Sequence, residues 1–361
     1  MADATDSKSV GGNPMRVRLS PRAFACLAAL LLGAAASRAQ QPIALTLRGA
    51  VVTTGTDLPI PYAIVELLPG FPQRLTDDSG RFRFSGVVPG QYRLLVRQIG
   101  YMPIDSMISL PVHGDEILLI RLWPVGITLP AVTVTGTLEC RSPGAPDPAL
   151  SPELAIVFDQ VVENARRYDL LTDSFPRRLK MERTLAELLL GGRRRLLLTD
   201  TVGFRETGWT YQPGHIFTEG PTTGDILVRL PNLADFADSV FIANHCFTLV
   251  GRDTLEGDSF VRLDFAPPVT ATEADVAGAA YLDARTYLIR YTVVRVTRPR
   301  RVSRDLASLA ATRRFREVAP WIVVTDFVRA LRRPRSSRSA TTIEEQRLLE
   351  LRFEKPLHPT P

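Results

Sequence analysis

The chain has 361 residues, 45% of them hydrophobic and 23% charged, enough for about two domains with cores of their own and too apolar for a wholly disordered polymer. The formal net charge is +6, yet only Lys8, Lys180 and Lys355 are lysines among 44 basic residues. The arginines are scattered through candidate strands with no aromatic-interleaved basic motif, which argues against a nucleic-acid partner.

At the N-terminus Arg16, Arg18 and Arg22 precede the apolar run 23–36, which ends in Ser37-Arg38-Ala39 before Gln40. This is the pattern of an export signal over residues 1–39, with cleavage expected after Ala39 and Met15 as an alternative start. The run falls short of the ~20 residues that a spanning helix needs, so no transmembrane span is expected in the mature chain. Cys26 lies inside the signal, badly placed for lipid attachment. Removing the signal leaves Cys140 and Cys246, an even pair in an oxidising compartment. A disulfide between them is expected, with free buried thiols as the alternative.

Residues 40–136 show short alternating segments broken by turn signals: 44–48, 63–67, 82–84, 92–96 and 117–122. The spacing predicts an all-β sandwich. Pro59-Ile60-Pro61 precedes one strand, Asp77-Asp78-Ser79-Gly80 makes a tight turn before Phe82, and Pro89-Gly90 turns the chain before Tyr92, each using residues that favour turn geometry. Arg48-Gly49-Ala50-Val51, Pro61-Tyr62-Ala63-Ile64-Val65, Thr76 to Phe82, Val88-Pro89-Gly90-Gln91-Tyr92 and Ile99-Gly100-Tyr101 succeed one another as in the carboxypeptidase regulatory-like domain, which this quarter of the chain resembles. The closing segment Leu129 to Gly136 is similar to the segment C-terminal to that domain in TonB-dependent outer-membrane receptors. The resemblance implies a transthyretin- or Ig-like sandwich with packing, docking or carbohydrate-binding roles and no peptidase chemistry. The remaining length is too small for a large transporter barrel.

Residues 137–150, rich in Pro, Ser, Gly and Ala, read as a linker. A helix is expected from Ser151, capped by its hydroxyl with Pro152 in the first turn and Arg166-Arg167 at its negative end. Leu154, Val157, Phe158, Val161, Val162 and Ala165 share one apolar face. Strands are then expected at 194–201, 226–230, 247–251, 259–265, 278–283, 287–298 and 321–331, with 181–190 as one arm of a hairpin turning at Gly191-Gly192 and 233–243 as a short helix or loop. The strand, Asp-x-x-Thr turn and return strand over 257–298 resemble the curved antiparallel sheet of periplasmic lipoprotein-carrier-like proteins. As a whole, the second half resembles uncharacterised envelope proteins that pair the regulatory-like domain with a segment like Asn244-His245-Cys246-Phe247. Domain boundaries are therefore expected at 151–331 for an α+β antiparallel-sheet domain and at 332–361 for a basic C-terminal extension. The expected fold class is mostly β.

No catalytic residue is assigned. The four histidines, His113, His215, His245 and His358, lack zinc-site spacing, and no metal or other cofactor is expected. His245 and Cys246 are adjacent, and on a strand would point to opposite faces rather than meet as base and nucleophile. The run 77–80 lacks the further ligands of a calcium loop. Trp209 and Tyr211, an aromatic pair beside a turn, are the candidate binding residues, with a packing role as the alternative. The reading is a non-catalytic exported protein of the periplasm or outer membrane that binds or scaffolds an envelope protein or a glycan. Its alternatives are a carrier holding a lipid or lipoprotein acyl chain on the curved sheet and an unrecognised hydrolase.

Overall fold

The computed structural model describes residues 45–111, 117–126, 139–205, 211–219, 226–336 and 340–355. The export signal, the segment 129–136, Trp209, His113 and His358 lie outside the described residues.

The N-terminal part is the expected sandwich. Strand β1 (Leu45–Thr53) pairs antiparallel with β4 (Arg81–Val87) and parallel with β7 (Ile117–Leu122). The second sheet runs β3 (Arg74–Leu75), β2 (Ile64–Leu68), β5 (Gly90–Arg97), β6 (Ile104–Leu110). Alternation puts Val51, Val65, Leu67, Phe84, Val96 and Leu122 into one core, each no more than 1% exposed; burial of this kind stabilises by about 1.5–3 kcal/mol per large aliphatic side chain. The Asp77 turn is held by its own carboxylate, which accepts from Ser79 N (2.8 Å) and Arg81 N (2.9 Å). Turn chemistry thus accounts for this carboxylate. Gly80 sits at φ +71°, where a Cβ would lie 2.5 Å from the Val51 carbonyl oxygen, so the Ser-Gly step requires glycine.

The second part is α+β, built on a curved nine-stranded antiparallel sheet. Its strands are β8 (Arg177–Leu188), β9 (Arg194–Arg205), β12 (Cys246–Leu255), β13 (Asp258–Ala266), β14 (Val276–Asp283), β15 (Ile289–Val296), β16 (Leu306–Ala319), β17 (Ile322–Pro334) and β18 (Thr341–Phe353). They lie in the order β12-β13-β14-β15-β16-β17-β18-β8-β9. A small hairpin of β10 (Phe217–Glu219) and β11 (Ile226–Val228) and the short helices α2 (Ser239–Ala243) and α3 (Pro299–Val302) complete the part. The turn between β14 and β15 is the expected Asp-x-x-Thr turn: the Asp283 carboxylate accepts from Arg285 N, Thr286 N and the Thr286 hydroxyl.

Helix α1 (Pro152–Ser174) lays Val157, Phe158, Val161, Val162 and Ala165 into one core with Val261, Leu263, Phe265, Val276, Leu282, Ile289 and Phe315 from the sheet. Phe236, Phe241, Tyr211 and Ile216 fill the remainder of that core. The opposite face is covered differently. Pairing registers place Arg262, Tyr281, Tyr291, Arg314, Phe327 and Arg347 in one row across six strands. Arg262 lies over the Tyr281 ring (5.8 Å), and Arg314, Arg329 and Arg347 surround Phe327 (5.2–5.5 Å). Arg262, Arg314 and Arg329 are ion-paired, to Asp264 and Asp253, to Asp326 and to Glu345 respectively. The arginine stems shield the rings while the guanidinium groups stay paired and partly wet.

Several expectations are corrected. The helix does not end near Arg166-Arg167 but runs to Ser174, and Arg167 is 2% exposed in its interior. The charge at its C-terminal end is the buried Arg177, which donates to the carbonyl oxygens of Leu171 (3.5 Å) and Val323 (3.1 Å), the arrangement that favours a cation there. Ser151 makes no side-chain capping bond. Strand β16 lies outside the segments expected to be strands. Residues 332–361 are no extension in their described part: β17 continues to Pro334, and β18 is an interior strand between β17 and β8. The stretch 139–150 is not a free linker either, since Cys140 is fully buried, its carbonyl accepts from Val269 N (3.0 Å), and Gly144 N donates to the His245 carbonyl (2.9 Å).

Candidate functional site

Tyr211, expected on a binding face, is instead 1% exposed. Its hydroxyl donates to Asp275 Oδ2 at 2.5 Å, and its ring meets Phe241 edge-on at 5.0 Å and His245 at 5.5 Å. A Tyr hydroxyl in an apolar core needs such a partner. The packing alternative therefore describes Tyr211, while Trp209 is outside the described residues.

Around Tyr211 gathers a cluster that sequence spacing did not reveal. His245, with no exposed surface, stacks on Phe241 at 4.0 Å. Its Nδ1 lies 2.9 Å from the Phe241 carbonyl and its Nε2 3.1 Å from the Val276 carbonyl, with Asp275 Oδ1 at 3.8 Å. A neutral ring can donate to only one of those carbonyls, but burial dominates and lowers the imidazole pKa, with Asp275 opposing it. The Asp275 carboxyl is raised by the same burial, against the pull of His245 and the Tyr211 hydroxyl. Asp235, 3% exposed, is pushed up to about 7 by burial although Asn232 N donates to it at 2.7 Å. Tyr211 is raised as well, first by burial and then by Asp275. All four groups are enclosed and spend their polar atoms on one another or on the backbone, so they lock the segments 211–216 and 232–245 onto the sheet rather than face a substrate.

The cluster adjoins the disulfide. Cys140 and Cys246 are bonded, with Cα atoms 5.3 Å apart and a sequence separation of 106, as the cysteine count implied. Cys246 is thus a half-cystine and no nucleophile. Among the described residues no group of three or more His, Cys, Asp or Glu side chains is placed to hold a metal ion, and no helix is long and apolar enough to cross a membrane.

A second constellation joins the sandwich to α1. Arg97 of β5 pairs with Glu66 of β2 and, at 3.2 Å, with Glu163 of α1; Glu163 lies 3.5 Å from Arg167, whose Nη1 donates to the Tyr62 carbonyl at 2.7 Å. Side-chain exposures are 14% or less for all four charged groups. Arg167 also lies over the Trp321 ring at 5.2 Å. One turn earlier Gln160 accepts from Gly100 N (2.7 Å) and donates to the Tyr101 carbonyl (3.2 Å), and Asn164 grips the β14–β15 turn through Tyr287 O and Ile289 N. Ile99 is buried in the core of the second part. The Ile99-Gly100-Tyr101 motif, read from sequence as part of the sandwich, is therefore also its docking point on α1.

Comparison with known proteins gives one family match and several structural likenesses. No match was found among curated proteins. Among solved structures, a DUF1329 family protein from Desulfovibrio piger is 12% identical, with 56% of this chain and 95% of that one covered and a TM-score of 0.33. A putative outer membrane lipoprotein-sorting protein domain from Vibrio parahaemolyticus is 12% identical, with the same coverage and a TM-score of 0.30. A LolA superfamily protein from Nitrosomonas europaea is 7% identical, with 55% and 94% covered and a TM-score of 0.28. Residues 46–122, the sandwich whose motifs, turn geometry and two-sheet core are set out above, match the family model of the carboxypeptidase regulatory-like domain.

Proposed function

We propose that this chain is an exported, non-catalytic binding and scaffolding protein of the bacterial envelope, with the regulatory-like sandwich held rigidly against an α+β body to present a partner surface to a protein or glycan. The observation that carries the reading is the filling of the sheet: α1, Phe236, Phe241, Tyr211 and Ile216 occupy the apolar face that a carrier of acyl chains would keep open. The buried Glu66–Arg97–Glu163–Arg167 network supports it, because such charges fix one relative arrangement of the parts they join. The disulfide supports an oxidising compartment.

Native mass spectrometry of protein recovered gently from envelope fractions tests the proposal. The expected result is the mass of the polypeptide alone. An acyl lipid that stays bound at stoichiometric level would overturn the scaffold in favour of a carrier.

A further inference from the structure

A cleft of about 1000 Å³ opens between the β13–β14 connection, α3 and the end of β17. Its lining includes Leu306, Pro299 and Pro334, the hydroxyls of Thr270 and Thr272, and four arginines, Arg298, Arg300, Arg301 and Arg335. No carboxylate lines it. Arg298, in the left-handed region at φ 47°, is anchored by a bond from Nη2 to the Val269 carbonyl (2.9 Å). Arg300, Arg301 and Arg335 form no ion pair among the described residues. Asp305, beside α3, is engaged elsewhere: it lies 3.9 Å from Arg332 and accepts from Ser336 N. Over the aromatic rings of the sheet, by contrast, Arg262, Arg314 and Arg329 each have a carboxylate. Arg298 acts on the buried Asp275 carboxyl, which leaves Arg300, Arg301 and Arg335 as three like charges lining one concavity, and an anion of matching geometry relieves their mutual repulsion.

We propose that this cleft is an anion site for a phosphate-bearing group. Guanidinium forks present paired donors matched to phosphate oxygens, the threonine hydroxyls add further donors, and the apolar lining accommodates the carbon skeleton that carries the phosphate. Two sources share this chemistry, a phospholipid headgroup and a free or sugar-borne phosphate. The two readings fail separately: a lipid held by its headgroup in this cleft is lost with R300Q/R301Q, whereas an acyl lipid carried on the sheet, which would overturn the scaffold, stays bound to that variant.

The test uses the disulfide-bonded chain at 150 mM salt, with two probes: inorganic pyrophosphate, followed by calorimetry, and vesicles of phosphatidylglycerol against phosphatidylcholine, followed by co-sedimentation. Both replaced arginines in R300Q/R301Q are exposed, so folding is expected to persist and is checked by circular dichroism. The control R81Q/R83Q removes the same charge from exposed positions of β4. The expected result is that R300Q/R301Q weakens binding about tenfold or more while R81Q/R83Q leaves it within about twofold. R335Q, at the end of β17, should weaken it as well. Pyrophosphate binding identifies the phosphate group itself as sufficient; binding to phosphatidylglycerol vesicles alone identifies the headgroup at a lipid surface. Equal losses in the two double variants, or no binding to either probe, overturns the proposal.

Discussion

Neutralising Glu163 is the most direct challenge to the junction between the two parts. In the folded chain Glu163 lies between Arg97 and Arg167. After Glu163→Gln, Arg97 retains Glu66, but Arg167 keeps only the Tyr62 carbonyl and the Trp321 ring. Burial already lowers the pKa of the Arg167 guanidinium and Glu163 opposes that shift, so the substitution leaves the burial unopposed. Removing one partner of a buried pair costs about 3–5 kcal/mol; the 3.5 Å separation from Arg167 and the amide's remaining acceptor place this case near the lower end, about 3 kcal/mol. For the unit Leu45–Pro361, an unfolding entropy of about 2.1 cal/mol/K per residue makes each kcal/mol lower Tm by about 1.5 °C, giving a fall of about 4–5 °C by differential scanning calorimetry. The double variant E163Q/R167M removes the orphaned charge together with its partner and should recover most of that loss. A loss below about 1 kcal/mol for E163Q, or strict additivity in the double variant, would refute the account of the junction as a coupled ionic cluster.

The second part yields two further expected outcomes. Cys140→Ser/Cys246→Ser opens a loop spanning a separation of 106 residues and should lower stability by about 4–5 kcal/mol on the chain-entropy model, measured by denaturant unfolding; intact wild-type protein under non-denaturing reductant should resist the change because Cys140 is fully buried. Asp235 has its folded pKa raised to about 7 from the usual 3.8, so its contribution is fully present below pH 4 and is lost as pH rises through 7. Asp235→Asn keeps an acceptor for Asn232 N and should gain relative to wild type from near zero at pH 4 to about 4 kcal/mol at pH 8; equal stability at both pH values would count against a buried neutral carboxyl.

Local patterning made the sandwich legible. Period-two alternation and turn residues such as Asp77 and Gly80 report directly on backbone geometry, and motif order identified the domain. The hairpin of β8 and β9 was readable from Gly191-Gly192, and the disulfide from parity in an oxidising compartment. Strand β16 was opaque because Leu306 to Ala319 is rich in Ala and Arg, residues with no β preference of their own. It becomes a strand through its neighbours β15 and β17 on either side. The course of α1 past Arg167 was hidden for a related reason, since two consecutive arginines resemble a helix end unless a buried carboxylate such as Glu163 is known to await one of them. Tyr211 illustrates the limit for sites. An aromatic beside a turn has the same local signature whether it faces solvent or Asp275, and Asp275 is 64 residues away.

The place of β18 has a consequence for how the molecule comes into being. Strand β8 lies immediately after α1 in the chain, yet its partner on one side is supplied by the last described strand; Arg178 and Glu354, paired across that seam, are 176 residues apart. The β8–β9 hairpin can form from adjacent segments, but its seam with β18 closes only when residues far along the chain reach it. Until then β8 offers an unpaired edge, and its alternating Arg, Lys and Glu residues from Arg177 to Glu187 are of the kind that discourage edge-to-edge association. The sheet therefore closes through a long-range pairing between the first and the last of its described strands in chain order, the kind of contact that carries a large loop-closure cost and slows folding.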